Sequence, residues 1–359
     1  MDATLRPLLR HPKRLPSTVL IALRVGSYEL LIRKSPSYAV VHAWVELAKR
    51  ESPSHARLVN AILRRVTMPR DLTTATRLSL PNWLFDTLQL TLGPDSAFRA
   101  GKAMLEPAPL WITQYREGAV ESLKREGCEV SSGPFRDTFR LRPSKPLREL
   151  EAYRRGWIQP QNPSSTVPVR LLEPKPSERV LDLASGNGIK TAQLASRGAV
   201  VTAIDASQKK VRPAQQNLSR LGLSASHLTF DLTRVPKLPP AKKVLLDAPC
   251  TGTGTLRGHP EIKLRLDPAD LKRAARLQKQ LLTTAAALTQ VGGTLVYAVC
   301  SLTLDEGEDQ IRSFLRCHPT FEVHSFTLPI PTSRDRIGSY ILPYEGRDGF
   351  YVAKLKRIA

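Results

Sequence analysis

Apolar side chains in the first hundred residues follow helical spacing. Between residues 17 and 68 they recur every three to four positions in successive stretches, which Ser35-Pro36 and Ser52-Pro53 separate. Pro69 ends the last stretch, and a further helix is predicted from Pro81 to Gly93. We therefore assign residues 1–98 to an all-α domain.

The pattern changes between residues 99 and 160. Short apolar runs at 110–112 and 138–141 predict strands, with a helix at 119–126 between them. Prolines interrupt the rest of the segment. This composition predicts a small α+β domain.

From residue 161 onward, apolar runs of strand length alternate with stretches of helical length. Strands are predicted at 179–183, 200–204, 228–230, 243–246 and 294–299, and helices at 190–196, 208–220, 268–289 and 306–316. Two later strands are predicted at 321–326 and 350–355, and the segment 159–165 is expected to lead into the domain. The alternation predicts an α/β fold, a doubly wound Rossmann-like sheet spanning 161–359.

The charge of the chain points to its partner. Lys and Arg number 54 against 32 Asp and Glu, a net charge of +22 that is shared evenly by the two halves of the chain. Such an excess favours a polyanionic partner, and nucleic acid is favoured over an acidic membrane. Arg64 and Arg65 could hold phosphate, although a solvated helix face explains them equally well.

The four cysteines form no CxxC pair and no cluster with histidine. This spacing argues against a zinc site or a disulfide framework and is typical of a reducing cytosol. No apolar run approaches the ~18 residues that span a bilayer, and the basic N-terminus lacks a following signal-peptide core. We expect a cytoplasmic monomer without metal or membrane partner.

A glycine-containing turn follows the first strand of the large domain. Such a turn presents backbone N–H groups to a ligand, and Asp205, at the end of the next strand, could bind ribose hydroxyls. The sequence lacks a third glycine at dinucleotide spacing and a Walker pattern, so a nucleoside cofactor without a pyrophosphate is favoured over NAD or ATP. The turn comprises Ala184, Ser185, Gly186, Asn187, Gly188, Ile189 and Lys190.

Two cysteines stand where predicted strands end. The strand at 243–246 leads into Asp247 and Cys250, and the strand at 294–299 leads into Cys300. One buried cysteine is usually a small hydrophobe, and an Asp before Ala-Pro is usually a turn cap. Two cysteines at the ligand-binding edge of one sheet favour a chemical role. The cations that could lower a thiol's pKa or bind phosphate there are Lys190, Arg257, His259 and Lys263.

These motifs resemble a known family. Asp247-Ala248-Pro249-Cys250 with Gly252 and Gly254, then Arg257 and His259-Pro260-Glu261-Ile262-Lys263, is similar to motif IV of the NOL1/NOP2/Sun family of RNA cytosine-5 methyltransferases. Tyr297-Ala298-Val299-Cys300-Ser301, with Glu306 and Glu308, is similar to motif VI, and the resemblance covers about residues 157–355. Residues 17–68 are similar to the second half of a NusB-like domain, which is expected to be shortened here. This fusion is typical of the branch that methylates small-subunit ribosomal RNA.

The resemblance implies S-adenosylmethionine as cofactor and RNA as partner. It implies Cys300 as the nucleophile and Cys250 as the cysteine that assists product release, with Asp247 on the cytosine edge. In the loop at 184–191 only Gly188, Lys190 and Thr191 match the family's Cys-Ala-Ala-Pro-Gly-Gly-Lys-Thr. The resemblance places Lys190, Asp205, Asp231 and Asp247 around the cofactor, and we expect RNA contacts from Arg64, Arg65, Arg257, His259 and Lys263.

Alternatives remain open at this stage. DNA cytosine methyltransferases place their nucleophile after a proline, which would make Cys250 the attacking thiol. Transfer RNA is an alternative substrate. A non-catalytic RNA-binding ribosome assembly factor would explain the divergent loop 184–189, whereas Asp247, Cys250, Cys300 and Lys190 favour an enzyme.

Overall fold

The computed structural model of the chain describes residues 1–334 and 337–359. These residues form two compact units, Met1–Ser79 and Leu80–Ala359. Residues 80–98, which the sequence pattern grouped with the N-terminal helices, lie in the second unit. They form most of a helix pair with a glycine and a proline at its corner, Gly93 and Pro94.

The first unit is helical, as the apolar spacing predicts. Its core includes Leu23, Val59 and Leu63, each at most 3% exposed. Trp44 closes one side of this core and donates its indole N–H to Glu29 at 2.7 Å. The helices are α1 Asp2–Leu5, α2 Ser17–Leu31, α3 Ser37–Glu51, α4 Ala56–Arg65 and α5 Thr74–Arg77, with short 3-10 turns at Arg6–Leu8, Pro12–Arg14 and Pro53–His55.

The second unit begins with two helices and a small mixed subdomain. Its four-stranded antiparallel sheet has the order β2-β3-β1-β4, so two of its strands went unpredicted. Both are short and carry polar residues or proline, which hide the strand pattern. The elements are α6 Asn82–Leu92, α7 Pro94–Ala103, β1 Leu110–Gln114, α8 Ala119–Arg125, β2 Glu129–Ser132, β3 Thr138–Arg142, α9 Glu151–Arg154 and β4 Ile158–Pro160, with a 3-10 turn at Leu147–Glu149.

A nine-stranded sheet forms the centre of the second unit. The predicted strands and helices of this region are present, with ends that differ by a few residues. The elements are α10 Pro163–Leu172, β5 Arg179–Leu183, α11 Ile189–Ala195, β6 Val200–Asp205, α12 Gln208–Arg220, β7 Ser226–Thr229, β8 Ala241–Asp247, α13 Ile262–Arg265, α14 Pro268–Leu288, β9 Thr289–Val299, α15 Glu308–Cys317, β10 Phe321–Val323, β11 Thr332–Arg334, β12 Ser339–Ile341 and β13 Phe350–Arg357, with a 3-10 turn at Thr253–Thr255.

The order of these strands creates the ligand edge. It runs β11-β12-β13-β9-β8-β5-β6-β7, with β10 paired to β13. Five neighbouring strands of this order are parallel: β9, β8, β5, β6 and β7. Strand β13 runs antiparallel to β9. Because the chain leaves β5 toward β6 and later crosses back to β8, the switch point lies between β5 and β8. The predicted doubly wound fold is confirmed.

Helix α10 was missed because it contains two prolines. Pro163 occupies its first turn, where a missing N–H has no cost, and Asn162 caps it by accepting the Ser164 N–H at 3.1 Å. Pro168 lies inside the helix, which remains stable because Val167 and Val169 are fully buried against the sheet core. The segment 159–165 is therefore the end of β4 and the start of α10.

Candidate active site

A cavity of about 740 Å³ opens at the carboxyl ends of β5, β6, β8 and β9. Its volume is within the ordinary range for a bound cofactor or substrate. The predicted site residues on its wall are Ala184, Ser185, Gly186, Asn187, Ile189, Lys190, Asp205, Asp231, Asp247, Cys250, His259 and Cys300. The fold therefore gathers residues that are far apart in sequence.

The loop from Ala184 to Gly188 is held by its backbone. The Ser185 N–H donates to the Ile204 carbonyl at 3.0 Å, and the Gly186 N–H donates to Asp205 at 2.8 Å. Gly188 has a φ of +75° and a Cβ there would lie 2.9 Å from the Ala214 Cβ, so glycine is needed at this position. Gly188 thus shapes the loop by its packing against α12.

Asp205 stabilises two turns at once. Its other carboxylate oxygen accepts the Ser207 N–H at 2.8 Å, and Lys210 lies 3.7 Å away. Asp231 is exposed on the cavity wall, and its carboxylate accepts the Thr233 N–H at 3.0 Å, which lowers the pKa of Asp231. Both carboxylates keep lone pairs for a ligand.

Lys190 and Asp247 form an ion pair at the switch point. Lys190 Nζ lies 2.6 Å from an Asp247 carboxylate oxygen and 3.2 Å from Ser165 Oγ. The lysine side chain is 10% exposed and the aspartate side chain is 30% exposed. The pair therefore fixes Asp247 while leaving part of its carboxylate open to the cavity.

The two motif cysteines meet at the end of β8 and β9. Cys250 Sγ lies 3.2 Å from Cys300 Sγ, within hydrogen-bonding distance for sulfur. This hydrogen bond, burial and the negative charge of Glu306 raise the pKa of Cys250 well above its usual range. The surroundings therefore disfavour the thiolate form of Cys250.

This environment of Cys250 differs from the sequence expectation, which was that nearby cations lower a thiol's pKa. The Lys190 ammonium is paired with Asp247. Arg257 is 3% exposed at its side chain and contacts Glu106 and the Pro343 carbonyl, both at 3.1 Å. Two of the four cations predicted to act on a thiol are thus paired with other groups.

The residues predicted to contact RNA differ in their exposure to solvent. Arg257 is buried, and its guanidinium holds the loop after β8 to other parts of its unit. Arg64 and Arg65 are exposed at the end of α4, and His259 is exposed on the cavity rim. Lys263 is half-buried, and burial lowers its pKa.

The sequence did not identify two carboxyl groups on the cavity wall as site residues. Asp182 is fully buried in β5 and accepts the Thr191 hydroxyl at 2.6 Å, and burial raises its pKa to about 7. Its charge within an otherwise apolar strand is the sequence feature that could have identified Asp182 as a site residue. Asp348, in the turn before β13, also lines the cavity, and burial raises its pKa to about 6. The sequence around Asp348 carried no comparable signal.

Residues 1–334 and 337–359 contain no group of three or more His, Cys, Asp or Glu side chains arranged to hold a metal ion. Within the same residues, no helix is both long and apolar enough to cross a bilayer.

The strand order, with antiparallel β13 between β9 and β12, and the cavity at the switch point define a Rossmann-like methyltransferase. The 16S rRNA methyltransferase RsmB/F family matches residues 169–356, and the NusB family matches residues 1–68. The chain therefore belongs to the RsmB/F family of 16S rRNA methyltransferases. This confirms the resemblance that the two motifs indicated.

Individual relatives agree with this assignment. Ribosomal RNA small subunit methyltransferase B of Thermus thermophilus is 45% identical over 358 residues, which cover 100% of this chain and 85% of that one. A methyltransferase homologue from Pyrococcus horikoshii is 26% identical, with a TM-score of 0.70 over 81% of this chain and 100% of that chain. NSun6 from the same organism, solved with SFG, shares the fold at 21% identity, with a TM-score of 0.70 over 78% of this chain and 98% of that chain.

Proposed function

We propose that the protein methylates carbon 5 of a cytosine in small-subunit ribosomal RNA, with S-adenosylmethionine as methyl donor and Cys300 as covalent nucleophile. The observation that carries the proposal is the 3.2 Å approach of the Cys250 and Cys300 sulfurs beside the cavity. A methyl transfer to an amino group or a hydroxyl needs no thiol. A pair of thiols at the reaction site suits attack on a carbon that must first be activated.

The cavity residues fit S-adenosylmethionine. Asp205 stands at the end of β6, where it can bind ribose hydroxyls, and the Asp205 and Asp247 carboxylates suit a cationic ligand. Apolar side chains on the same wall can cover an adenine ring: Phe230, Leu232, Leu277 and Leu281. SFG, which accompanies the fold neighbour NSun6, is an analogue of this cofactor. When bound, S-adenosylmethionine supplies the methyl group that carbon 5 accepts.

Cys300 is assigned as the nucleophile because the surroundings of Cys250 disfavour a thiolate there. The hydrogen bond with Cys300 and burial raise the pKa of Cys250, and as a thiol Cys250 can donate a hydrogen bond to a thiolate on Cys300. Addition of that thiolate to carbon 6 of cytosine moves the electron pair of the 5,6 double bond toward carbon 5. Carbon 5 forms its bond to the transferred methyl group and then gives its proton to a base such as water. The electron pair of that C–H bond re-forms the 5,6 double bond as Cys300 leaves as a thiolate, and the Cys250 thiol, 3.2 Å away, can donate a hydrogen bond to the leaving sulfur.

Asp247 is assigned to the cytosine edge. Its partly open carboxylate can hydrogen-bond a protonated N3 and stabilise the charge that develops on the ring as Cys300 adds. Lys190 holds that carboxylate in place at 2.6 Å. The cytosine must leave its helix to reach a site at this depth.

Ribosomal RNA is the proposed partner on two grounds. The net charge of +22 suits a polyanion, and the Thermus thermophilus relative, which matches along the whole chain, is named for small-subunit ribosomal RNA. Transfer RNA is therefore a comparison substrate in the test.

The test is methyl transfer from isotope-labelled S-adenosylmethionine, followed by digestion and chromatography of nucleosides. Small-subunit RNA lacking modifications, assembled small-subunit particles and transfer RNA serve as parallel substrates. Label in 5-methylcytidine from small-subunit RNA or particles is expected. Label confined to another nucleoside, or to transfer RNA, would contradict the proposal, and cofactor binding without any transfer would favour the assembly-factor alternative.

A further inference from the structure

A fully buried carboxylate, Glu306, lies beneath the two cysteine loops. It is 0% exposed and stands between β9 and α15. From the Cys250 loop, Thr251 donates both its backbone N–H, at 2.9 Å, and its hydroxyl. One side chain thus anchors the residue that follows Cys250.

The same carboxylate anchors the Cys300 loop. The hydroxyl of Ser301, directly after Cys300, donates to Glu306 at 2.7 Å. Ser301 Oγ also lies 2.9 Å from Thr253 Oγ1, which accepts the Leu302 N–H at 3.0 Å. The two loops are therefore joined through Glu306 and through a second, smaller contact beside it.

A third element completes the arrangement. Gln278 of α14 donates its amide to Glu306 and to the Pro249 carbonyl, both at 3.0 Å. The Thr251 backbone N–H can only donate and Gln278 donates through its amide NH2, so an acceptor with negative charge suits this pocket. Removing that acceptor would leave buried donors without partners, which is costly.

The charge of Glu306 also acts on the thiols. The negative charge of Glu306 is among the causes that raise the pKa of Cys250, after the hydrogen bond to Cys300, burial and the charge of Cys300. Several other ionisable groups surround the pair: Tyr297 beneath it, Lys190, Asp247, His259 and Asp348 on the cavity wall, and Arg265, Asp270 and Arg273 on the outer side of Cys250.

We propose that Glu306 is a positioning residue that fixes the spacing of the Cys250 and Cys300 loops. The inference rests on the proposed function, because the two cysteines that it positions are those of the proposed reaction. It adds a residue that acts through the cysteines without touching the substrate.

The test uses Glu306→Gln, which keeps the shape and removes the charge, with Asp309→Asn on the exposed face of α15 as matched control. Iodoacetamide labelling of the full chain without RNA, resolved by peptide mass spectrometry, gives the pH profile of each thiol. We expect the midpoint for Cys250 to fall in Glu306→Gln and to stay at the wild-type value in Asp309→Asn. Turnover number should fall about 10- to 100-fold, with the KM for S-adenosylmethionine within about twofold.

An unchanged Cys250 profile together with turnover equal to that of Asp309→Asn would overturn the inference. If Glu306→Gln fails to fold, Glu306→Asp keeps the charge on a shorter side chain. It should retain the wild-type Cys250 profile while turnover falls, and unchanged turnover there would contradict the positioning role. Failure of the proposed function would appear differently, as absence of 5-methylcytidine with the wild-type protein.

Discussion

The two halves of the active site are built in different ways. The loop from Ala184 to Gly188 takes its shape from backbone hydrogen bonds, and the side chains of Ser185 and Asn187 make no hydrogen bond within the described chain. The loops that carry Cys250 and Cys300 are tied together by side chains, above all by Glu306, in addition to the Gly254 N–H, which donates to the Cys300 carbonyl. One half presents main-chain groups and the other presents reactive side chains.

This difference explains where the sequence departs from its family pattern. A ligand bound by backbone N–H groups and by Asp205 tolerates new side chains in the loop, provided that the backbone keeps its course. Covalent chemistry requires particular atoms at particular distances, so a side-chain change there has a direct cost. The divergent loop is thus compatible with an active enzyme.

The largest effect is expected from Gly254→Ala in the cysteine half. A Cβ at Gly254 would lie 2.0 Å from the Gly349 carbonyl oxygen, and the Gly254 N–H donates to the Cys300 carbonyl at 3.0 Å. The loop must shift, so methyl transfer should fall by about 100-fold. Gly258→Ala is the matched control, because its Cβ would meet only the Thr255 carbonyl oxygen, at 3.9 Å. Equal activity of the two folded variants would contradict a tightly fixed Cys250 loop.

A smaller effect, on stability, is expected from Asp182→Asn beneath the cofactor loop. The folded pKa of Asp182 is about 7, whereas an unfolded Asp titrates near ~3.9. Between these pH values the folded chain keeps a proton that the unfolded chain loses, so this residue's contribution to stability falls as pH rises. The loss totals on the order of 2–4 kcal/mol.

Urea unfolding between pH 4 and pH 8 measures this contribution. Asp182→Asn should gain stability relative to wild type as pH rises, since asparagine does not titrate. The exposed Asp86→Asn serves as control and should run parallel to wild type. Parallel curves for Asp182→Asn as well would show that the folded carboxyl group is not protonated in this range.

The smallest effects are expected in the cofactor loop itself. Ser185→Ala and Asn187→Ala should change the Kd for S-adenosylmethionine by less than about threefold, roughly 0.7 kcal/mol. Asp205→Asn should weaken binding about tenfold, because it places an amide against the Gly186 or Ser207 N–H. Calorimetric titration of the three variants makes the comparison, and equal weakening by all three would contradict a backbone-built loop.

Much of the fold could be predicted from the sequence because the parallel strands are buried on both faces. Leu181, Leu183 and Val244 to Leu246 are fully buried in predominantly apolar strands, which the sequence marks clearly despite Asp182 in β5. Helix α10 could not be predicted, because tertiary packing overrides the effect of Pro168. The short strands β11 and β12 likewise depend on long-range pairing, of β11 with β12 and of β12 with β13, which the local sequence pattern does not reveal.

The sequence predicts those residues of the candidate site that lie at or just after the ends of strands. Cys250, Cys300, Asp205 and Lys190 follow strands of one sheet, and the fold brings them to one cavity. The burial of Arg257 could not be foreseen, because its partner Glu106 is remote in sequence. The sign of the pKa shift at Cys250 depends on distances that only the folded chain defines.

In the proposed reaction Cys300 attacks the cytosine and Cys250 assists release of the product. The most direct test is denaturing electrophoresis, which detects a covalent protein–RNA adduct formed with labelled small-subunit RNA and S-adenosylmethionine. Cys250→Ala should accumulate a protein–RNA adduct that peptide mass spectrometry maps to Cys300, and both Cys300→Ala and the double variant should show none. The exposed Cys317→Ala should behave as wild type. An adduct that appears in Cys300→Ala and is absent from Cys250→Ala would reverse the roles, and full activity of both single variants would contradict covalent catalysis.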